Sequence, residues 1–349
     1  MPTMGGAAEE TPPTKLRKKP RNSRFTQQNL KAWRPVLTPV KVVLVFMAVA
    51  LVLIPVGVAC LTASISVVEY SSRYDNVPEC TDRANDNRER EQKLYQVGGD
   101  GFLCNVSIIV EEDMKAPIFM YYELDSFFQN HRRYVKGRDD EQLKGKNRAA
   151  SSLDDCEPRL FQNGSRDKVI NPCGLTAWSF FNDTFRAFES QASNTSELGL
   201  RQKGIAWRSD VEHRFGAYEP QNFNNIPELR GGGEINGLVR DDEHFVVWMR
   251  TAPLPTFRKL WGIIDRDVLQ GSTFVVEISN RYNTYRFGGK KSIILSTTSW
   301  LGGKNNFLGF AYIVAGGLSF LLGTLFFVLH LSFRRPLGSE DYLSWRRSG

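Results

Sequence analysis

Two stretches of this chain are apolar almost without interruption, and the long region between them alternates. The first, residues 42–65 (VVLVFMAVALVLIPVGVACLTASI), carries no charged side chain. At about 1.5 Å per residue, a helix of this length covers the roughly 30 Å hydrocarbon core of a bilayer. The second, residues 307–333 (FLGFAYIVAGGLSFLLGTLFFVLHLSF), lacks Asp, Glu, Lys and Arg. Both predict transmembrane helices. Pro55 and Gly57 predict a bend in the first, which neighbouring helices can accommodate. In the second, Ala315, Ser319 and Gly323 recur every four residues and predict a small-residue face open to another backbone, from the first span or from a different protein.

Between the spans lie about 240 residues, too many for a loop. Short β-branched and aromatic runs at Val106–Val110, Pro117–Leu124, Phe245–Met249, Phe274–Ile278 and Ser292–Thr297 alternate with Gly, Pro and Asn punctuation and predict antiparallel strands. Helix is expected only in short pieces, at Ala177–Glu189 and Pro255–Ile264. The predicted architecture is a membrane protein in which two transmembrane α-helices flank a large antiparallel β-rich (α+β) exoplasmic domain. Its parts are a tail at 1–41, a span at 42–65, the exoplasmic domain at 66–306, a span at 307–333 and a tail at 334–349. Residues 1–24 have too little apolar content to offset ordering entropy and are expected to be disordered. Phe25, Leu30, Trp33, Val36 and Leu37 then precede the membrane, reading either as an interfacial anchor or as a docking segment for a cytosolic partner.

Charge sets the orientation. The formal net charge is +7, but residues 1–41 alone hold nine Lys/Arg against Glu9 and Glu10, and the tail from Arg334 holds four against Glu340 and Asp341. The middle region is therefore nearly neutral. Basic ends around apolar spans place both tails in the cytosol, whereas a nucleic-acid binder would concentrate its positive charge on the folded domain. Cysteines and sequons agree. Cys60 lies inside the first span, while Cys80, Cys104, Cys156 and Cys173 fall in the middle region, where four cysteines permit three pairings. Asn105, Asn163, Asn182 and Asn194 each head an Asn-x-Ser/Thr sequon, and all four lie in the same region. Both chemistries suit an oxidising, glycan-bearing lumenal or extracellular compartment.

Catalytic patterns are scarce. There is no His-Glu-x-x-His and no Cys-x-x-Cys, and His131, His213, His244 and His330 are scattered. Gly288-Gly289-Lys290-Lys291-Ser292 resembles the end of a phosphate loop, but the glycine required five positions before Gly289 is Thr284. Gly231-Gly232-Gly233 reads as a flexible turn. Asp265-Arg266-Asp267 could hold a divalent cation for sugar transfer, although a solvated turn is the simpler reading. No catalytic, cofactor or metal site is expected. What remains is aromatic and Arg-rich: Phe127 to Tyr134 with Arg132 and Arg133, then Trp248-Met249-Arg250 and Leu254 to Leu260 with Phe257 and Arg258. These residue types make interface hot spots and also build cores.

The same stretches resemble a known family, the accessory β-subunits of lipid-flipping P-type ATPases, called the ligand-effect-modulator or cell-division-cycle-fifty family. The similar segments are FTQQNLKAWRPVLTP, YYELDSFFQNHRRYVKGRDD, INPCGLTAWSFFNDTF, GIAWRSD, VVWMRTAPLPTFRKLWG and RYNTYRFGGKKSIILSTTSWLGGKNNFLGFAY, in the family's order from about Phe25 to Tyr312. The resemblance implies a non-enzymatic partner of a flippase ATPase, assembled in the endoplasmic reticulum, needed for export and for the transport cycle, and working in the Golgi, endosomal or plasma membrane. It implies disulfides Cys80–Cys104 and Cys156–Cys173, with Asn182 as the sequon inside a family motif. Residues expected to meet the partner are Phe25, Leu30, Trp33, Pro35, Leu37, Arg132, Arg133, Trp248, Arg250, Phe257 and Arg258. The alternatives are a two-span ligand-gated channel, whose pore needs a polar lining that these spans lack, and a membrane-anchored glycosyltransferase using Asp265 and Asp267.

Overall fold

Period-two alternation builds two antiparallel sheets in the computed structural model of the chain, which describes residues 23–32, 38–191, 194–223 and 231–333. The strands are β1 (Glu69–Arg73), β2 (Phe102–Ile109), β3 (Ile118–Asp125), β4 (Thr184–Gln191), β5 (Asn194–Leu198), β6 (Leu200–Arg201), β7 (Phe257–Ile264), β8 (Thr273–Asn280) and β9 (Lys290–Ser296). One sheet has the order β1-β9-β3-β7-β6 and the other β2-β8-β4-β5. In β3 the side chains of Ile118, Met120, Tyr122 and Leu124 are buried and those between them are not. Cys104, Val106 and Ile108 of β2 and Phe274, Val276 and Ile278 of β8 do the same in the second sheet, and both inner faces feed one core. A smaller core of Leu153, Leu160 and Ile170 surrounds Cys156–Cys173. The other disulfide joins Cys80 to Cys104, so the pairing is the one the resemblance implies, and Cys60 is free and buried.

The helices are α1 (Pro39–Ile65), α2 (Asn87–Val97), α3 (Arg132–Lys136), α4 (Asp140–Leu143), α5 (Leu175–Trp178), α6 (Arg208–His213), α7 (Glu243–Met249) and α8 (Asn306–Ser332). α1 and α8 have 27 residues each, enough to cross a bilayer. The chain divides into two units, one of residues 1–52 with 316–349 and one of residues 53–315. Within the second unit, a Cβ on Gly57 would lie 2.8 Å from Ile313 Cγ1 and one on Gly309 2.8 Å from Leu61 Cβ. Within the first, Gly323 abuts Met47 and Phe46. The buried small residues are Ala50, Gly57, Cys60, Ala63 and Ser64 on α1 and Gly309, Gly316 and Gly323 on α8. Of the expected four-residue stripe, Gly323 is buried, Ser319 half-buried and Ala315 exposed.

Three expected elements change type. Phe245–Met249, expected as a strand, is the core of α7, because Asp242 caps the helix by accepting from the Phe245 amide at 3.0 Å and the run is buried on several sides. Pro255–Ile264, expected as a helix, contains β7. Ala177–Glu189 is a one-turn helix, α5, followed by β4, in which Phe185 and Ala187 turn inward and Arg186 outward. The three glycines at 231–233 are a close packing contact rather than a flexible turn. A Cβ on Gly232 would sit 1.9 Å from the Phe180 carbonyl oxygen, and one on Gly231 2.4 Å from the Trp178 ring.

Candidate partner interface and its scaffold

The aromatic and basic segments converge on a buried polar knot. Asp183, fully buried, accepts from the Tyr74 hydroxyl at 2.6 Å, from the Arg281 and Tyr282 amides at 2.5 and 2.6 Å, and from Lys291 Nζ at 2.7 Å. Lys291 also donates to the Tyr282 carbonyl at 2.7 Å and to Asn280 Oδ1. Burial pushes the Lys291 ammonium down and the Tyr74 phenol well up, while Asp183 pulls the lysine the other way. A charge with no exposure is tolerable only when paired and hydrogen-bonded, as here. The knot joins β4 to β9 and explains why Phe-Asn-Asp-Thr and Gly-Gly-Lys-Lys carry charged residues inside a fold. The Gly288–Ser292 loop is therefore structural.

A second knot holds α7 against β7. Opposite Met120 and Tyr121 of β3, Trp261 is an extra residue in β7, a bulge that puts Lys259 opposite Tyr122 and Phe257 opposite Leu124, on the inner face. Lys259 donates to the carbonyls of Val247 at 3.2 Å and Arg250, at the end of α7, where a cation also meets the helix dipole. Burial, and then Arg250, push it down to about 7. At the other end, Glu243 accepts from the amides of Gly204, Ile205 and Ala206 at 2.8–2.9 Å. Burial pushes its carboxyl up, but those amides and Lys203 outweigh this and leave it lowered. Gly-Ile-Ala-Trp-Arg-Ser-Asp is thus docked to α7 by one carboxylate.

These scaffolds sort the expected contact residues. Trp248 and Phe257 lie in the core, Trp248 with no exposure and its indole donating to the Thr176 carbonyl at 2.8 Å. They support the surface from beneath, so the reading of both as direct contacts is corrected. Arg132 and Arg133 are exposed on α3 and make no ion pair among the described residues. Arg250 lies over the exposed Trp207 ring at 5.1 Å and 3.4 Å from Asp210. Arg258 is anchored to Glu69 at 2.8 Å and Glu123 at 3.0 Å. Phe128 and Leu254, which lie in the hot-spot stretches but are not among the expected contact residues, are 59% and 64% exposed on two loops tied by Asn130 Nδ2 donating to the Pro253 carbonyl. Phe25 and Leu30 are exposed; Trp33, Pro35 and Leu37 lie outside the described residues. Asp265 and Asp267 are engaged within the chain, by Arg201 at 2.7 Å and by the Ala116 amide at 2.6 Å.

Residues 60–336 match the sequence profile of the LEM3 (ligand-effect modulator 3) family / CDC50 family. The chain belongs to this family. It is 44% identical to the ALA-interacting subunit 3 of Arabidopsis thaliana over 98% of this chain and 95% of that protein. It is 37% identical to the cell cycle control protein 50A of Bos taurus, over 93% of this chain and 92% of that protein. To the phospholipid-transporting ATPase accessory subunit CRF1 of Saccharomyces cerevisiae it is 33% identical, over 95% and 90%. Family membership and the two long apolar helices make the chain an integral membrane protein. Both buried knots fall within the matched family region.

Proposed function

We propose that this protein is the non-catalytic accessory subunit of a phospholipid-transporting P-type ATPase, forming a heterodimer with the catalytic chain. The observation that carries the proposal is near full-length similarity to relatives named for that role, in a chain with the same two-span plan. Because a relative is named an accessory subunit of a phospholipid-transporting ATPase, the lipid path and the phosphorylation chemistry are assigned to the partner. This chain contributes a helix pair and a disulfide-bonded exoplasmic domain, with both tails in the cytosol. Arg132, Arg133, the Arg250–Trp207 pair and the Phe128–Leu254 patch form the partner-facing surface of that domain; Phe25 to Leu37 dock on the cytosolic side. The heterodimer assembles in the endoplasmic reticulum and moves to the Golgi, endosomes or plasma membrane, with glycans on the exoplasmic sequons. Affinity purification in mild detergent followed by mass spectrometry tests the reading. A large P-type ATPase in stoichiometric amount is the expected result, and lipid-dependent ATP hydrolysis by the pair but not by this chain alone completes it. Recovery of the chain without any ATPase, or channel currents from the purified chain, would overturn it.

A further inference from the structure

A cavity of about 560 Å³ lies beside the Asp183 knot, within the range of small-molecule sites. Among its walls are Arg159, Asn182 and Trp261, and each has a shielded polar atom without a hydrogen-bond partner among the described residues: Arg159 Nε, Asn182 Oδ1 and Trp261 Nε1. Buried donors and acceptors are normally satisfied, and an orphan marks a missing partner. Three on one cavity point to a polar occupant. The wall is rigidly built. The β7 bulge sets Trp261, which is 6% exposed; the Arg159 guanidinium lies 4.1 Å over the Trp178 ring; and Gly233 brings its backbone against Asn182. Asn182 itself is pinned by its neighbour Asp183. It heads the Asn-Asp-Thr sequon, and its Nδ2, the atom that would carry a glycan, makes no hydrogen bond among the described residues.

We propose that this cavity seats the two core N-acetylglucosamine residues of a glycan attached to Asn182. The proposal rests on the exoplasmic reading of the domain. In that compartment Nδ2 displaces the pyrophosphate of a lipid-linked oligosaccharide and loses a proton, forming the N-glycosidic bond. An N-acetylhexosamine then matches the two donors of the cavity. Its acetamide and ring oxygens accept from Trp261 Nε1 and Arg159 Nε, and its apolar ring face packs on Phe287 at the rim, which is 43% exposed. The sequons at Asn105 and Asn163 offer nothing comparable. Asn105 points outward from β2 between buried Cys104 and Val106, and Asn163 sits on an exposed turn. The Asn182 sugar is thereby a packing element of the domain, while those at Asn105 and Asn163 are surface decoration.

The test is site-resolved deglycosylation of the full-length protein in mild detergent. Peptide:N-glycosidase F is applied to native and to unfolded protein, and conversion of each Asn to Asp is followed by peptide mass spectrometry. Native release at Asn182 should be roughly tenfold or more slower than after unfolding, because the bond is reached only through local opening. Release at Asn105 or Asn163 should hardly change on unfolding. Trp261→Phe, which keeps a ring and removes the donor, should speed release at Asn182 alone, a response that shielding by a bound ATPase would not give. Equal native and unfolded rates at Asn182, or indifference to Trp261→Phe, would overturn the seat. An Asn182 peptide that never carries sugar would overturn the glycosylation reading beneath it.

Discussion

At the scale of single residues, buried charges decide most. Removing one partner of a hydrogen-bonded buried pair leaves the other unmatched, at a cost of roughly 3–5 kcal/mol. Asp183→Ala should therefore lower the thermal midpoint sharply or prevent recovery of folded protein, while exposed Asp241→Ala should do neither; fluorescence-detected size-exclusion chromatography after heating reads both. The double change Asp183→Leu with Lys291→Met should recover part of the loss. Lys259 makes stability pH-dependent. The unfolded chain holds that proton up to the ordinary lysine range, whereas the folded chain releases it around pH 7. Between those values the unfolded state binds more protons, so stability rises with pH. From pH 8 to pH 6 the folded protein should lose on the order of 1 kcal/mol from this group. Half-buried His244, also pushed down by its burial, adds a loss of the same sign on further acidification. Lys259→Met should flatten the dependence between pH 6 and 8 in urea titrations followed by tryptophan fluorescence.

At the scale of elements, close backbone approach is the recurring device. Gly309→Leu should disrupt the α1–α8 pair, since even a Cβ there meets Leu61 backbone at 2.9 Å. Overpacking of this kind typically costs about 1–3 kcal/mol, and the expected outcome is reduced yield of folded protein in detergent. Ala315→Leu, on an exposed position, should leave that yield unchanged. The elements also show where pattern reading succeeds. β2, β3 and β8 were legible because each alternates inward and outward over five or more residues, and β9 because its run of buried β-branched and apolar residues is short and preceded by glycines. α7 and β7 were exchanged for a physical reason. Phe245–Met249 is short and apolar throughout, so its periodicity is silent, and the bulge at Trp261 breaks the alternation of β7 where the eye would test for it. Only Asp242 ahead of the run hinted at a helix start, as a cap residue does.

At the scale of the whole molecule, the exposed arginines of α3 carry the prediction for assembly. Arg132→Glu with Arg133→Glu should leave the thermal midpoint of this chain unchanged, because neither side chain has an ion pair to lose among the described residues. It should reduce recovery of the ATPase in a pull-down, with the deficit growing at low salt, where exposed charges act over longer distances. Trp248→Ala should lower both stability and recovery, since it empties the core beneath that surface.

The sequence by itself determined the two spans, the β-rich region between them, the neutrality of that region and the family, because each depends on local composition, length and the order of segments. Which polar residues stand inside was decided only by the tertiary structure. Asp183 and Lys291 are 108 positions apart, Lys259 faces inward only through a one-residue bulge, and the Asn182 cavity is lined by segments from across the chain. Burial is a property of contacts between distant residues, and no window of the sequence contains it.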